Sequence, residues 1–282
     1  MSAIALPAMS SGAFPANGLV ERIRAAEPRF FATAILMLVA MAPTGFAALV
    51  DSRELLGVDI WLKPLKFEFA LLVYLSTLAF FALFVPETTK AKRWYLVFTS
   101  AISIGAVVEI AWLAGAAAIG TKSHFNPTPF GQVIYASMGM TAVLITSATA
   151  VFAFHIGRNA STGLSPAVKE ALVLGLSLTL ALTLLTAGTM SQMGTHFIGG
   201  TPSDAGGFPV MGWSRDGGDL RAAHFFATHA LHFVPVLGIV VATIFGWKQR
   251  LPARVIAVAF AAFVVFLFGQ ALFGLPFLPS LG

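Results

Sequence analysis

The chain has 282 residues, 57% of them hydrophobic and only 10% charged, with 17 Lys and Arg against 12 Asp and Glu. Soluble domains carry about 25% charged residues, so this chain cannot cover a water-facing surface, and its net charge of +5 needs no nucleic acid to explain it. There is no cysteine, which excludes disulfides, thiolate-held iron–sulfur clusters, c-type haem attachment and thiol catalysis.

Residues 1–27 are small and polar and are broken by Pro7 and Pro15. Arg22 and Arg24 come late, directly before a full-length apolar run, where a signal peptide would start basic and turn apolar. This stretch reads as a loose N-terminal tail, with 18–27 resting on the membrane surface. Seven apolar runs follow, near 29–50, 62–84, 94–118, 131–156, 166–190, 222–247 and 255–277. Each reaches the roughly 20 residues that a bilayer crossing needs, and all-round apolar character favours helices over alternating barrel strands. The predicted fold is an all-α polytopic integral membrane protein. Seven transmembrane helices form one bundle and one domain over 28–282.

The links 85–93, 157–165 and 248–254 are short. Those at 51–61, 119–130 and 191–221 are richer in Gly, Pro, Asp and His. Lysine and arginine gather on the cytoplasmic side of membrane proteins. With the N-terminus cytoplasmic, eleven of the 17 lie inside and six (Arg53, Lys63, Lys66, Lys122, Arg215, Arg221) lie outside. The expected topology has the N-terminus in, the C-terminus out and 191–221 as a long outer loop. The expected location is a cell membrane, in a bacterium the inner one.

The stretch 213–235, WSRDGGDLRAAHFFATHALHFVP, is the centre of interest. It starts as a glycine-broken loop and becomes an apolar helix carrying His224, His229 and His232. At about 100° per residue, Arg221, His224, Thr228, His232 and Pro235 share one helix face. A polar stripe inside a membrane is a functional candidate. Asp219 before it reads as a helix N-cap. Pro235 removes the amide that would bond the Leu231 carbonyl.

Depth along the helices, at about 1.5 Å per residue, gathers the polar groups in the outer half. Lys63, Lys66 and Glu68 open the second helix. Glu109 lies about 14 Å below the outer end of the third, and His232 at nearly the same level in the sixth. Gln270 is in the outer half of the seventh. His124, His196 and His224 sit at outer helix ends; only His155 belongs to the inner edge. Plainer roles compete: Glu109 and His232 as a pair gluing two helices, His155 as an interfacial residue, His124 and His196 as loop anchors, Lys63 as a snorkelling lysine. The glycine-rich run 199–218 lacks the spacing of a phosphate cradle and reads as an outer lid.

Three chemical readings follow. The first is an outward-facing metal or b-type haem centre with a redox role. His124, His196, His224, His229 and His232 are its candidate ligands, and haem b or a copper, iron or zinc ion its cofactor. Arg215, Lys63 and Lys66 would hold propionates, Arg221 would balance a propionate or an anionic substrate, and Glu109 would orient an imidazole. Met190, Met193 and His196, every third residue, with Met138 and Met140, would suit Cu(I); methionine as core filler is the plainer account. The second is proton-coupled transport through Glu109, Glu68 and His232, against which stands the lack of a polar path in the inner half. The third is a non-haem metal-dependent membrane enzyme with Glu109, Glu68 and Arg221 as catalytic groups. The partners expected are the lipid bilayer and a redox partner or small-molecule substrate, with no nucleic acid. The outward-facing redox centre leads, because the polar groups open to one side and little below them could carry a solute inward; transport and the metal-dependent enzyme are the alternatives, and the oligomeric state stays open.

The stretches WLKPLKF, SHFN and GDLRAAHFFATHALHF resemble segments of an uncharacterised family of bacterial polytopic membrane proteins. The resemblance implies a shared fold and no function. Microbial rhodopsins do not fit, because 255–277 has no lysine for a retinal Schiff base. Zinc hydrolases of the ceramidase and adiponectin-receptor type do not fit either, because the last helix lacks a paired His-x-x-x-His. A weak echo links 121–131 with 193–206: both run Ser/Thr-His-Phe and then Thr-Pro, as two parallel repeats would, or two unrelated turns.

Overall fold

The computed structural model describes residues 18–278, so the tail expected over 1–27 lies outside the described residues as far as 17. Its remainder is ordered as α1 (Leu19–Ala26), with Ile23 and Ala26 turned to the core and Arg22 and Arg24 exposed. After it come α2 (Pro28–Val50), β1 (Glu54–Leu55), β2 (Val58–Asp59) and α3 (Leu62–Phe81), which a 3-10 turn extends to Phe84. Then follow α4 (Glu87–Lys90), α5 (Arg93–Ala118), α6 (Pro129–Arg158) and α7 (Pro166–Met193). The chain closes with β3 (Phe197–Ile198), β4 (Gly218–Asp219), α8 (Leu220–Thr228), α9 (Ala230–Phe245) and α10 (Leu251–Leu272).

Among the described residues, six helices are long and apolar enough to cross a membrane: α2, α3 with its 3-10 extension, α5, α6, α7 and α10. The pair α8–α9 passes the same test only when taken together, and it is bent by 59°. Apolar side chains face outward along these helices, including Val39, Ile104, Val133, Ile244 and Phe266. That is what lipid solvation asks for.

Helix starts follow local chemistry. Pro28, Pro129, Pro166 and Pro252 occupy first-turn positions, where a missing amide costs nothing. Thr128 and Ser165 cap α6 and α7 through their hydroxyls. One expected boundary shifts here. The seventh helix runs from Leu251 to Leu272 rather than over 255–277. Phe273–Phe277 instead turn through Gly274, at φ 74°, and set Phe277 against Trp213 and Phe226. An apolar run does not distinguish lipid-facing helix from an apolar plug. The bundle is mostly helical, as the all-α reading expects, and its loops add two short antiparallel ladders, β1–β2 and β3–β4.

The sixth apolar run, expected as one helix over 222–247, breaks at His229. The hydroxyl of Thr228 donates to the carbonyls of His224 and Phe225, and the amide of His232 tightens onto the His229 carbonyl. Pro235 then supplies no amide to the next turn. The break packs on Gly175 of α7. A Cβ there would stand 2.9 Å from both the Ala230 carbonyl oxygen and the Pro235 Cδ. Small residues bring membrane helices together in this way. Gly175→Ala is therefore expected to destabilise the protein by about 1–3 kcal/mol through overpacking. Gly188→Ala on the same helix, where a Cβ meets nothing within 4 Å, is the control that thermal unfolding in detergent should leave unchanged or slightly raise.

The carboxyl ends of α2, α5, α7 and α10 and the amino ends of α3, α6 and α8 gather at one end of the bundle, here the loop end. Arg53 donates to the carbonyls of Ala117 and Ala118, and Ser203 and the Asp204 amide bond the Leu56 carbonyl. At the opposite end Asn159 donates to the Phe84 carbonyl and Arg254 pairs with Glu170.

Candidate functional site

At the loop end, Arg221 is the hub. Asp219 caps α8, its Oδ1 accepting the Arg221 amide at 3.0 Å. The same carboxylate takes the guanidinium in a fork, at 3.0 Å from Nε to Oδ1 and 2.6 Å from Nη2 to Oδ2. It also accepts the Ser214 amide at 2.9 Å. Arg221 further pairs with Asp204 at 2.7 Å and donates to the Gly212 carbonyl at 2.9 Å. Asp219 therefore ties α8 to Ser214 in the lid 199–218, and Arg221 ties it to Asp204 and Gly212. Asp216 closes the lid itself by accepting from Thr201 and Ser214, bonds that hold its carboxyl below the usual range.

Beside this hub lie Lys63 and Lys66, three residues apart on one face of α3. The ammonium of Lys63 donates to His124 Nδ1 at 3.3 Å, and that of Lys66 to the Met211 carbonyl at 3.3 Å. Neither meets a carboxylate within ion-pair distance among the described residues. His124 and His196 complete the group, with Phe125 between their rings. Burial, then the nearby Lys63 cation, pushes His124 down to about 3; burial, then Arg221, pushes His196 down to about 4. Both are neutral at pH 7, and His196 keeps a buried Nε2 with no hydrogen-bond partner. The segments 121–131 and 193–206 thus meet here.

The second group lies deeper. His232 Nε2 stands 2.9 Å from Thr77 Oγ1, and His232 Nδ1 stands 3.1 Å from His229 Nδ1. The Thr77 hydroxyl donates its single hydrogen to the Val73 carbonyl, so its oxygen must accept from His232 Nε2–H. That leaves His232 Nδ1 bare, to accept from His229 Nδ1–H, and leaves His229 Nε2 bare in turn. The same logic holds one turn higher. Thr186 donates to the Leu182 carbonyl and accepts from His224 Nδ1–H at 3.0 Å, leaving His224 Nε2 bare. The network therefore assigns all three tautomers.

Depth differs from expectation. Thr77 is fifteen residues into α3, about 22 Å from the loop end. Thr186, beside His224, is seven residues from the end of α7, about 10 Å in. Glu109 is nine residues from the end of α5, about 14 Å in. His232 is therefore well below Glu109, and the two are not hydrogen-bonded. The single outer layer expected from helix counting gives way to a descending series, because the bend at His229 redirects the chain.

The remaining candidates are dispersed. Glu109 is buried and makes no side-chain hydrogen bond. Glu68 is 1% exposed and accepts from Thr44 at 2.7 Å, its second oxygen unpartnered. Arg215 forms no ion pair among the described residues and buries its Nε unpartnered. His155 lies at the opposite end, bonded to Thr89 and stacked on Trp94. Met190, Met193 and His196 do not share a helix face, because α7 stops at Gly194 in the left-handed conformation, φ 64°. Met138 fills the core beside Met37, and Met140 is 70% exposed. Among the described residues no three His, Asp or Glu side chains gather as metal ligands.

Comparison with family models, with curated proteins and with solved structures gave no match to the chain. Its chemistry rests on its own residues. Thr77, Thr186 and Asp204 were not singled out in the sequence. A threonine in an apolar helix ordinarily bonds its own backbone four residues back; these two do so and use the remaining lone pairs on histidines.

Proposed function

We propose that this protein is a proton-coupled membrane transporter for a small anionic solute. It crosses the membrane seven times, with α8–α9 as one broken span, the N-terminus cytoplasmic and the loop end outside. One observation carries the reading. Polar and ionisable groups descend from Lys63, Lys66, His124 and His196, through His224, to the His229–His232–Thr77 chain about 22 Å in. A polar series in a discontinuous span is where transporters place solute and proton sites. Such a series also supplies much of the path that a one-sided site lacks.

The step is a proton transfer along two imidazoles that are neutral at rest. A proton taken by His229 Nε2 makes an imidazolium, whose Nδ1–H passes across 3.1 Å to His232 Nδ1. The positive charge has then moved one ring deeper, onto His232, whose Nε2–H donates to the Thr77 hydroxyl; the proton leaves from there only to a water or solute base arriving from the opposite side of the bundle. A solute anion bound by the lysines would favour the first of these steps by its charge.

A second reading keeps a metal or b-type haem with a redox role. The bare Nε2 atoms of His224 and His229, each oriented by a bond at the other ring nitrogen, suit ligation by neutral imidazole. The contact between His229 and His232 does not suit opposed axial ligands, which need a ring between them. That is why transport is placed first.

The test uses the cysteine-free chain. Pro202→Cys and Gln249→Cys, both exposed, should label from opposite faces, Pro202→Cys from outside. In proteoliposomes an imposed pH gradient should collapse faster with protein than without. Labelling of both positions from one face would overturn the topology. A proton-tight vesicle, joined to a Soret band or stoichiometric metal in the purified protein, would move the function to the redox reading.

A further inference from the structure

We infer that the loop-end site binds a single carboxylate carried on an apolar, aromatic-sized body; this deepens the transport reading and rests on it only for the ligand's fate. Charge sets the first half. Arg221 is matched by Asp204 and Asp219, and His124 and His196 are neutral. Lys63 and Lys66 have no carboxylate of their own. Against the surplus that Arg221 and its two partners leave, the site holds one positive charge too many, which a monoanion cancels.

Donor geometry sets the anion's type. Both ammonium groups stand on one face of the first turns of α3, each spending one of three donors, on His124 Nδ1 and the Met211 carbonyl. A carboxylate, with two oxygens and four lone pairs, has acceptors enough for the spare donors of both lysines.

The surroundings set the body. From Phe67 the rings run through His124 (5.9 Å between centroids), Tyr135 (5.6 Å from His124) and Phe125 (5.1 Å from Tyr135) to His196 (6.1 Å) and Phe197 (4.1 Å). Such a run offers ring faces and edges to an aromatic or branched apolar group. A small, fully hydrated anion would gain nothing from it. The buried, unpartnered Nε2 of His196 is a further polar atom that a bound ligand would satisfy.

Benzoate is the probe. Purified full-length protein in zwitterionic nanodiscs should bind benzoate saturably, followed by tryptophan fluorescence, and acetate and inorganic phosphate should compete at least about tenfold more weakly. Lys63→Gln and Lys66→Gln should each weaken benzoate by about tenfold or more, one charged contact's worth. The exposed Lys122→Gln should stay within about twofold. Any variant is compared only after eluting as the wild type does. In phosphatidylserine nanodiscs, loss of benzoate binding assigns the carboxylate to a lipid headgroup; unchanged binding assigns it to a free acid. No saturable benzoate binding in zwitterionic discs overturns the inference, as does wild-type affinity in both lysine variants. Benzoate binding in a protein that passes no protons leaves the inference standing and removes transport; proton passage without benzoate binding does the reverse.

Discussion

Asp219→Ala is expected to be the most damaging single change at the loop end. The Asp219 side chain is fully buried and in one stroke caps α8, forks onto Arg221 and holds the Ser214 amide. Alanine leaves the Arg221 guanidinium with Asp204 as its sole carboxylate. Removing one partner of a buried pair costs about 3–5 kcal/mol, and a lost N-cap alone about 1 kcal/mol. Asp219→Asn keeps an acceptor for the cap and loses the charge, so its loss should be smaller. Because Asp219 also fastens the lid, trypsin should cut after Arg215 sooner in Asp219→Ala than in the wild type. A melting temperature within a degree or two of wild type and an unchanged digestion pattern would show that Asp204 and Gly212 hold Arg221 without it.

How far the sequence reaches depends on which force is in charge. Lipid solvation acts on whole runs of side chains, so the long apolar helices stand out, and the prolines at their first turns sharpen the starts. The same force is blind to what a run packs against. Residues 273–277 are as apolar as helix, yet Phe277 leaves the helix to seal Trp213. The break at His229 had a visible cause in Pro235, but its place six residues earlier depends on Thr228 and on Gly175 of another helix. No local pattern contains that contact. Asp219 was legible as a cap because capping is local; its hold on Ser214 was not. The histidines were legible as a group because six imidazoles in an apolar chain are conspicuous. Their partition into a loop-end pair and a deep relay was not, since it follows from a bend. Thr77 and Thr186, which fix the tautomers, look like any threonine in an apolar helix. The stop of α7 at Gly194 could have been taken from glycine's preference for the helix C-terminus; the three-residue spacing of Met190, Met193 and His196 drew the eye instead.

The relay supplies the largest functional effect. His229→Phe keeps an aromatic ring against Phe225, 4.3 Å away by centroid, and removes both nitrogens, so proton flux in proteoliposomes should fall by about an order of magnitude or more. His232→Phe should do the same, since among the described residues no other side chain accepts from His229 Nδ1. Thr77→Val is the sharper variant because it preserves shape and leaves both imidazoles in place. It strands His232 Nε2–H without its 2.9 Å acceptor, a loss of roughly 1–3 kcal/mol for an unsatisfied buried donor. His232 can then recover a partner by moving its proton to Nδ1, which turns the His229–His232 contact into two facing donors unless His229 changes tautomer as well. Flux should therefore drop in Thr77→Val by an amount between wild type and His232→Phe, and Thr77→Ser, which restores the hydroxyl, should recover most of it. His155→Gln, at the far end of the bundle and bonded to Thr89, should stay within about twofold of wild type. Wild-type flux in His229→Phe would sink the relay outright. A Thr77→Val protein as inactive as His232→Phe, and not rescued by serine, would mean that the valine disturbs packing between α3 and α9 rather than the tautomer. The order of the four variants therefore separates proton transfer between the rings from a structural role of the same residues.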